Sequence, residues 1–157
     1  MKEKVYIETS IISYLTAKPS RDLIVAANQQ ITHDWWDNRS AFFDLYSSTL
    51  VINEASRGDA GASKRRIDIL SNLIIIEFND KVIKFAEMII QKGILPKKVG
   101  DDVLHISASI VYGFDYLITW NCKHIANAEI QKQVAKLSNS KGYFMPSICT
   151  PLELMGE

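Results

Sequence analysis

Four acidic residues stand at positions where solubility alone does not explain a charge. Glu8 follows a short β-branched run, Glu54 lies in the apolar segment 50–55, and Asp101 and Asp102 are adjacent. Carboxylate oxygens are the ligands that hard divalent cations such as Mg²⁺ and Mn²⁺ prefer. The acids therefore predict a metal site, provided that the fold brings them together.

Each acid also has a purely structural interpretation, which the residues by themselves leave open. Glu8 could end a strand and cap the helix that follows, and an aspartate at a helix start contributes about 0.5 to 2 kcal/mol as a cap or dipole partner. If Asp101 takes the cap position, Asp102 is free to point into a crevice, with His105 three residues on and on the same face. A single histidine in this setting is more often a hydrogen-bonded structural residue than a ligand or a base.

The elements that must position these acids alternate between short β-rich runs and longer helical segments. This alternation predicts a three-layer α/β/α sandwich around a mostly parallel sheet of about five strands. Ligands of such sheets gather beyond the carboxyl ends of the strands, where we expect Glu8, Thr119 and Asn121. Predicted strands include residues 4–8, 73–78, 116–119 and 143–145, and the isoleucine-rich run 73–78 is expected to be central. Predicted helices cover residues 9–15, 20–38, 79–93, 100–112 and 128–137, with Thr9 or Ser10, Ser20 and Asn79 as caps of the first three.

The segment 41–57 is ambiguous, because local propensity makes both 42–46 and 50–52 look like strands. Only residues 47–49 separate the two runs. Ser48 as a cap and Gly58 as a stop favour a short helix for the second run, with Glu54 inside it.

Composition indicates one globular domain over residues 1–157. The 18 Lys and Arg balance the 18 Asp and Glu, so the basic excess typical of proteins that bind nucleic acid by charge alone is absent. No apolar run reaches the roughly 18 residues of a membrane span, and Glu8 interrupts any signal-peptide core. We therefore expect a cytoplasmic protein in which Cys122 and Cys149 stay reduced.

Four blocks of this sequence resemble the PIN-domain nucleases, most closely the VapC-like toxins of type II toxin–antitoxin pairs. The resemblance covers nearly the whole chain, from about residue 4 to the tail at 150–154. Its blocks are Val-Tyr-Ile-Glu-Thr-Ser from Val5, Ser-x5-Glu ending at Glu54, Asp-x-x-His-x-x-Ala from Asp102, and Leu-Ile-Thr-Trp-Asn ending at Asn121, with His124 and Asn127 following.

Carried over residue by residue, the resemblance implies that Glu8, Glu54 and Asp102 are metal-binding carboxylates, with Thr9 and Asn121 as polar helpers. Asp101 would be a substitute or a cap, and His105 an additional site residue. Two departures stand out, because the family's first acid is usually Asp where this chain has Glu8, and its fourth is often Asp where this chain has Asn121. An amide can coordinate Mg²⁺ or orient water, but it brings no charge.

The resemblance also implies an activity and partners. The expected reaction is Mg²⁺- or Mn²⁺-dependent hydrolysis of an RNA phosphodiester by an activated water, with no covalent protein intermediate. A cognate antitoxin and a homodimer are implied as well. Under this interpretation the basic side chains Lys64, Arg65, Arg66, Lys97 and Lys98 would follow the RNA backbone, and Trp120 or Tyr112 would stack on a base. Solvated charges and core or rim aromatics are the more common explanation of such side chains.

Two other interpretations remain open on the sequence. A PIN-like module that binds RNA or protein without cleaving is motivated by Glu8 and Asn121, which stand where the family usually has aspartates. A phosphatase or phosphoryl-acceptor site is less favoured, because no aspartate occupies the nucleophile position after the first strand.

Overall fold

The computed structural model describes residues 1–157 and has five strands and seven α-helices. The strands are β1 (Glu3–Ile7), β2 (Phe43–Ser48), β3 (Ile74–Ile76), β4 (Tyr116–Ile118) and β5 (Ser147–Cys149). The helices are α1 (Thr9–Thr16), α2 (Leu23–Asn38), α3 (Thr49–Ala55), α4 (Ala60–Leu70), α5 (Asp80–Gln91), α6 (Gly100–Val111) and α7 (Ala128–Ser140). Three short 3₁₀ turns cover Ser40–Phe42, Lys97–Val99 and Pro151–Leu154.

The strands form one sheet in the order β3-β2-β1-β4-β5, and every neighbouring pair is parallel. Because parallel crossovers are right-handed, helices α1 to α4 cover one face of the sheet and α5 to α7 cover the other. Helix α1 packs against α2, α3 and α4, whereas α5 packs against α6. The predicted three-layer α/β/α sandwich with five strands is confirmed.

The centre of the sheet is the centre of the core. Val5, Tyr6 and Ile7 of β1 are fully buried, as expected for a strand that is paired on both edges and covered on both faces. The α2 residue Trp35 is also fully buried, and its indole N–H donates to the carbonyl of Leu154 at 3.1 Å. This bond holds the C-terminal turn against the α1–α4 layer.

The strand order creates a switch point between β1 and β4. The chain leaves β1 toward β2 on one side and reaches β4 on the other side only after β3. Loops beyond the carboxyl ends of such a strand pair diverge and leave a crevice, which is where ligands of open α/β sheets bind. Glu8 follows β1 at this edge, and Thr119 to Asn121 follow β4.

Several predicted boundaries are right because their signals are local. Ser48 caps α3, so the helical interpretation of 48–54 is confirmed, and Asn79 caps α5 as expected. Two of the predicted helix caps were wrong. Glu8 rather than Thr9 or Ser10 caps α1, and Asp22 rather than Ser20 caps α2.

Other expectations fail where the answer depends on distant parts of the chain. The isoleucine run was expected to be a central strand, but it forms the edge strand β3, and Ile74 is about half exposed. Apolar side chains indicate that the faces of a strand are covered, but they do not indicate whether both of its edges are paired. The last strand is Ser147–Cys149, after Pro146, and not 143–145. Helix α4, capped by Asp59, was not predicted at all. No helix combines the length and apolar character needed to cross a membrane.

Candidate active site

Glu8 is a structural cap whose carboxylate is fully engaged. Its Oε2 accepts the backbone N–H of Ser10 at 3.2 Å, and its Oε1 accepts the hydroxyls of Ser10 and Thr119, each at 2.5 Å. The residue is 6% exposed. The capping interpretation of Glu8 is therefore the one observed, and three donors within the chain satisfy its carboxylate oxygens.

The same hydroxyls connect the ends of β1 and β4. The backbone N–H of Trp120 donates to Ser10 Oγ at 2.8 Å, and that of Asn121 donates to Thr119 Oγ1 at 2.9 Å. Ser10 was not among the predicted site residues, although its position next to Thr9 was the available signal. The network fixes the switch-point edge on which the other acids depend.

Glu54 lies on the first helix after β2 and is held through one oxygen. Its Oε1 accepts the hydroxyl of Thr9 at 2.7 Å and lies 2.6 Å from His105 Nε2. Its Oε2 has no hydrogen-bond partner within the chain, and the side chain is 19% exposed. Glu54 thus reaches a partner that tolerates its charge, and that partner is a histidine.

His105 is completely buried and linked to the core. Its Nδ1 lies 2.7 Å from the Tyr6 hydroxyl, which lies 2.8 Å from Ser48 Oγ, the cap of α3. The structural interpretation of His105 is thus the one observed. A continuous hydrogen-bonded chain runs from the α3 cap through Tyr6 and His105 to the carboxylate of Glu54.

The Glu54–His105 contact is an ion pair. Burial alone would lower the pKa of His105, but the hydrogen bond to Glu54 and the charges of Glu8, Glu54 and Asp102 raise it. Burial alone would raise the pKa of Glu54, but His105, Thr9 and Arg57 lower it. The pKa of Glu54 is therefore lowered and that of His105 is raised, because each group stabilises the charged form of the other.

Asp102 sits in the first turn of α6 with a different partner. Its Oδ2 lies 3.1 Å from His124 Nδ1, with side-chain exposures of 21% and 25%, and its Oδ1 has no hydrogen-bond partner. Neither Asp101 nor Asp102 caps the helix, since the N-cap is Val99 without a side-chain bond. Both aspartates instead face the positive end of the α6 dipole, and Asp101 is exposed.

Asn121 is already used as a turn cap. Its Oδ1 accepts the backbone N–H of His124 at 3.0 Å, which fixes the turn that carries the imidazole to Asp102. His124 was expected only as part of a matching block, and its contact with Asp102 was not predicted. A histidine three residues after Asn121 was the signal that could have found it.

A cleft of about 430 Å³ opens at this edge of the molecule. Its lining combines carboxylates, namely Glu54, Asp101 and Asp102, with the lysines Lys97 and Lys98. Glu8, Thr9 and Asn121 do not line it. The structure thus brings Glu54 and Asp102 to one cleft and leaves Glu8 outside its lining.

Comparison with solved structures identifies the architecture. A chain in the structure of VapBC2 from Rickettsia felis, bound to a DNA fragment from its promoter, superposes with a TM-score of 0.56 at 21% sequence identity, covering 76% of this chain and 89% of that chain. The Mycobacterium tuberculosis toxin VapC20, which cleaves the sarcin–ricin loop, gives a TM-score of 0.56 at 11% identity, covering 76% of this chain and 92% of that one. This chain has the PIN fold. No protein-family model matches the sequence, and no curated protein matches it.

Within the PIN fold of this chain, the predicted RNA contacts separate into two groups. Lys97 and Lys98 line the cleft, and Lys64 and Arg65 are exposed on α4. Arg66 instead donates to the carbonyls of Ala55 at 2.8 Å and Arg57 at 2.7 Å, at the end of α3. The remaining residue, Trp120, donates to Thr32 Oγ1 and stacks on Tyr14 at 6.0 Å between ring centroids, so its indole has a structural role.

The donor set fits a hard divalent ion in kind, although it is not assembled into a cluster. No group of three or more His, Cys, Asp or Glu side chains is arranged to hold a metal ion. Glu8, Glu54 and Asp102 are each turned toward a different protein partner. Mg²⁺ needs only one or two carboxylates besides water and substrate phosphate. Glu54 and Asp102, each with one unpaired oxygen, meet that requirement.

Proposed function

We propose that the chain is a Mg²⁺- or Mn²⁺-dependent endoribonuclease and the toxin of a type II toxin–antitoxin pair. The observation that carries the proposal is the cleft at the sheet's switch-point edge. There Glu54 and Asp102, from two different helices, each offer an unpaired carboxylate oxygen in a space that Lys97 and Lys98 also line. Carboxylates for a cation next to lysines for a phosphate are the combination that phosphodiester hydrolysis needs.

Glu54 Oε2 and Asp102 Oδ1 would hold the ion, with Asp101 as a further carboxylate at the cleft. When bound, the ion supplies positive charge for the phosphate oxygens and lowers the pKa of a water molecule. Glu8 contributes a buried negative charge close by, and it would have to give up hydrogen bonds from Ser10 and Thr119 to become a ligand itself. We therefore propose Glu54 and Asp102 as direct metal ligands. Glu8, the third predicted ligand, would act indirectly through its charge.

The chain's own residues account for orientation and substrate binding. His105 and Thr9 hold Oε1 of Glu54 and so leave Oε2 for the cleft, while Asn121 positions His124 against Asp102. Lys97 and Lys98 would bind the phosphate of the scissile linkage or its neighbour, because ammonium groups pair with phosphate oxygens. The buried Tyr6–His105 link keeps these positions rigid before substrate arrives.

Cleavage of structured and unstructured RNA by the purified protein, with Mn²⁺ and with EDTA, tests the activity. We expect Mn²⁺-dependent cleavage that falls about 100-fold or more in Asp102→Ala, since several kcal/mol of transition-state stabilisation would be lost. Glu87→Ala, which removes an exposed carboxylate of α5, is the matched control and should cleave like the wild type. Cleavage that survives in Asp102→Ala would contradict the proposal.

One observation favours a second candidate, a PIN-fold module that binds RNA or protein without cleaving. Both oxygens of Glu8 and the amide oxygen of Asn121 are occupied by internal hydrogen bonds, so two of the positions that the resemblance assigned to the site do not reach the cleft. Tight RNA binding without cleavage in any divalent ion would select this module over the nuclease.

The partner and the compartment follow from the same proposal. The name VapBC2 of the similar structure denotes a toxin–antitoxin complex. We propose that this chain likewise has a cognate antitoxin. We also propose that it forms a homodimer and acts in the cytoplasm. Co-expression with the product of the adjacent reading frame should yield a stable complex that inhibits cleavage. Failure of every neighbouring gene product to bind would remove the toxin role while leaving the ribonuclease testable.

A further inference from the structure

Two open cavities lie side by side between helices α5 and α7, on the sheet face away from α1 to α4. Their volumes are about 380 and 240 Å³. Five lysines line them, and we call this surface the α5–α7 groove. The lysines are Lys81, Lys84 and Lys92 on or just after α5, and Lys136 and Lys141 on or just after α7.

The charge of the groove is not neutralised within the chain. The contacts within 4.0 Å between basic and acidic side chains all involve histidine, so none of the five lysines has a carboxylate within that distance. No acid lines either cavity, and the exposed acids of the two helices, Asp80, Glu87 and Glu129, lie outside the lining. A protein with zero net charge thus concentrates positive charge along one groove, which favours a linear polyanion as its partner.

Aromatic side chains accompany the lysines. Tyr143 lines the groove and packs edge-on against Phe85 with 5.7 Å between ring centroids, and the next residue, Phe144, is 91% exposed. A basic groove with an available aromatic ring is the combination that binds single-stranded nucleic acid, because bases stack on the ring while lysines contact phosphates. An acidic polypeptide would use the lysines but would leave the exposed ring unexplained.

The groove leads toward the proposed active site. Ile94 lines the cavity at the end of α5, and Lys97 lines the catalytic cleft. Three residues span at most about 11 Å, so the two surfaces are adjacent. One polynucleotide strand can therefore occupy both.

We infer that the α5–α7 groove binds the phosphate backbone of single-stranded RNA that extends from the cleft. The inference rests on the proposed function for the identity of the substrate, and it adds a binding surface on the face opposite α4. It also assigns a role to Lys136 and Lys141, which the proposed chemistry leaves unused.

Binding of a labelled oligouridylate of about 20 nucleotides, measured by fluorescence anisotropy in EDTA over a range of salt, tests the inference. The test variant is Lys84→Gln/Lys136→Gln/Lys141→Gln. The matched control, Lys2→Gln/Lys18→Gln/Arg21→Gln, removes the same amount of charge from exposed positions outside the groove and the cleft. All six side chains are exposed, so unchanged circular dichroism and melting temperature are expected of both variants.

We expect the groove variant to bind about tenfold or more weakly near physiological salt, with the slope of log K against log salt reduced by about 2. The control should bind like the wild type. Phe144→Ala should weaken binding at least about fivefold with an unchanged salt slope, because it removes stacking and not charge.

Equal weakening in the groove variant and the control would overturn the inference, as would no weakening in either. Polyglutamate that displaces the RNA from the wild type and binds more tightly would show that the groove serves an acidic protein, and would also overturn it. Because the measurement uses EDTA, absence of cleavage in Mn²⁺ would reject the nuclease proposal and leave the groove standing.

Discussion

At the scale of single residues, each acid of the site owes its behaviour to its immediate partner. Glu54 pairs with the buried His105, Glu8 accepts hydrogen bonds from three donors, and Asp102 lies against His124. The three carboxylates looked equivalent in the sequence, but each has a different environment in the structure. Only Glu54 and Asp102 keep an oxygen available to a ligand.

The first prediction concerns Glu8. Glu8→Ala should lower the free energy of unfolding by about 1 to 3 kcal/mol in EDTA, because it removes a helix cap and leaves buried hydroxyl donors without an acceptor. Asp101→Ala, an exposed acid without a side-chain hydrogen bond, should change it by less than about 0.5 kcal/mol. Urea unfolding of both variants provides the comparison, and equal stability would show that Glu8 has no structural role.

The second prediction concerns the pH dependence of the Glu54–His105 pair. The raised pKa of His105 contributes stability that is complete below its unfolded pKa of about 6.5 and is lost as the pH rises through the folded pKa. The lowered pKa of Glu54 contributes stability that is present above about 4.3 and is lost as the pH falls through the folded pKa. This pair's contribution is therefore largest between those two pH values.

Melting curves of the wild type and Glu54→Gln across this range measure the contribution. The stability difference between them should be greatest near pH 5.5 and should shrink on both sides. His105→Ala should be destabilised by about 3 kcal/mol because it leaves a partly buried carboxylate unpaired. A difference between wild type and Glu54→Gln that does not vary with pH would mean that the two groups do not form an ion pair.

At the scale of elements, the end of α3 determines where Glu54 points. Arg66 of α4 donates to two carbonyls at that end. Its positive charge also interacts favourably with the negative end of the α3 dipole. The basic run at 64–66 was expected to contact RNA, but the fold uses its last member to join α4 to α3. Its neighbours Lys64 and Arg65 are exposed to solvent.

The third prediction follows from that difference between neighbours. Arg66→Ala should cost about 1 to 2 kcal/mol, since two hydrogen bonds from a charged donor are lost, whereas Arg65→Ala should cost less than about 0.5 kcal/mol. Chemical unfolding of the two variants checks the costs. If the two substitutions cost the same, the α3–α4 contact does not stabilise the protein.

At the scale of the whole molecule, the switch point gathers loops that are far apart in sequence into one cleft. A cation held by Glu54 and Asp102 would connect residues of the α1–α4 layer and of the α5–α7 layer, since both side chains line the cleft. Binding of such an ion stabilises the entire fold, because the unfolded chain cannot present both carboxylates together.

The fourth prediction is a metal-dependent shift in stability. At about 100 times its dissociation constant, Mn²⁺ should add about 2.7 kcal/mol to the free energy of unfolding. Asp102→Asn should remove most of that gain, and Glu87→Gln should retain it. A melting temperature that neither Mn²⁺ nor Mg²⁺ changes would argue against a metal site in the cleft.

The sequence by itself determined the sheet-and-helix alternation, β1, the Ser48 cap of α3, the Asn79 cap of α5 and the order of acids along the chain. These depend on side-chain periodicity and on hydrogen bonds between residues a few positions apart, so they can be read locally. Tertiary structure alone decided that the isoleucine strand lies at the edge, that His105 neutralises Glu54 and that Arg66 holds α3. Each of these depends on which distant groups meet in a medium where an unpaired charge is costly, and no local pattern encodes that meeting.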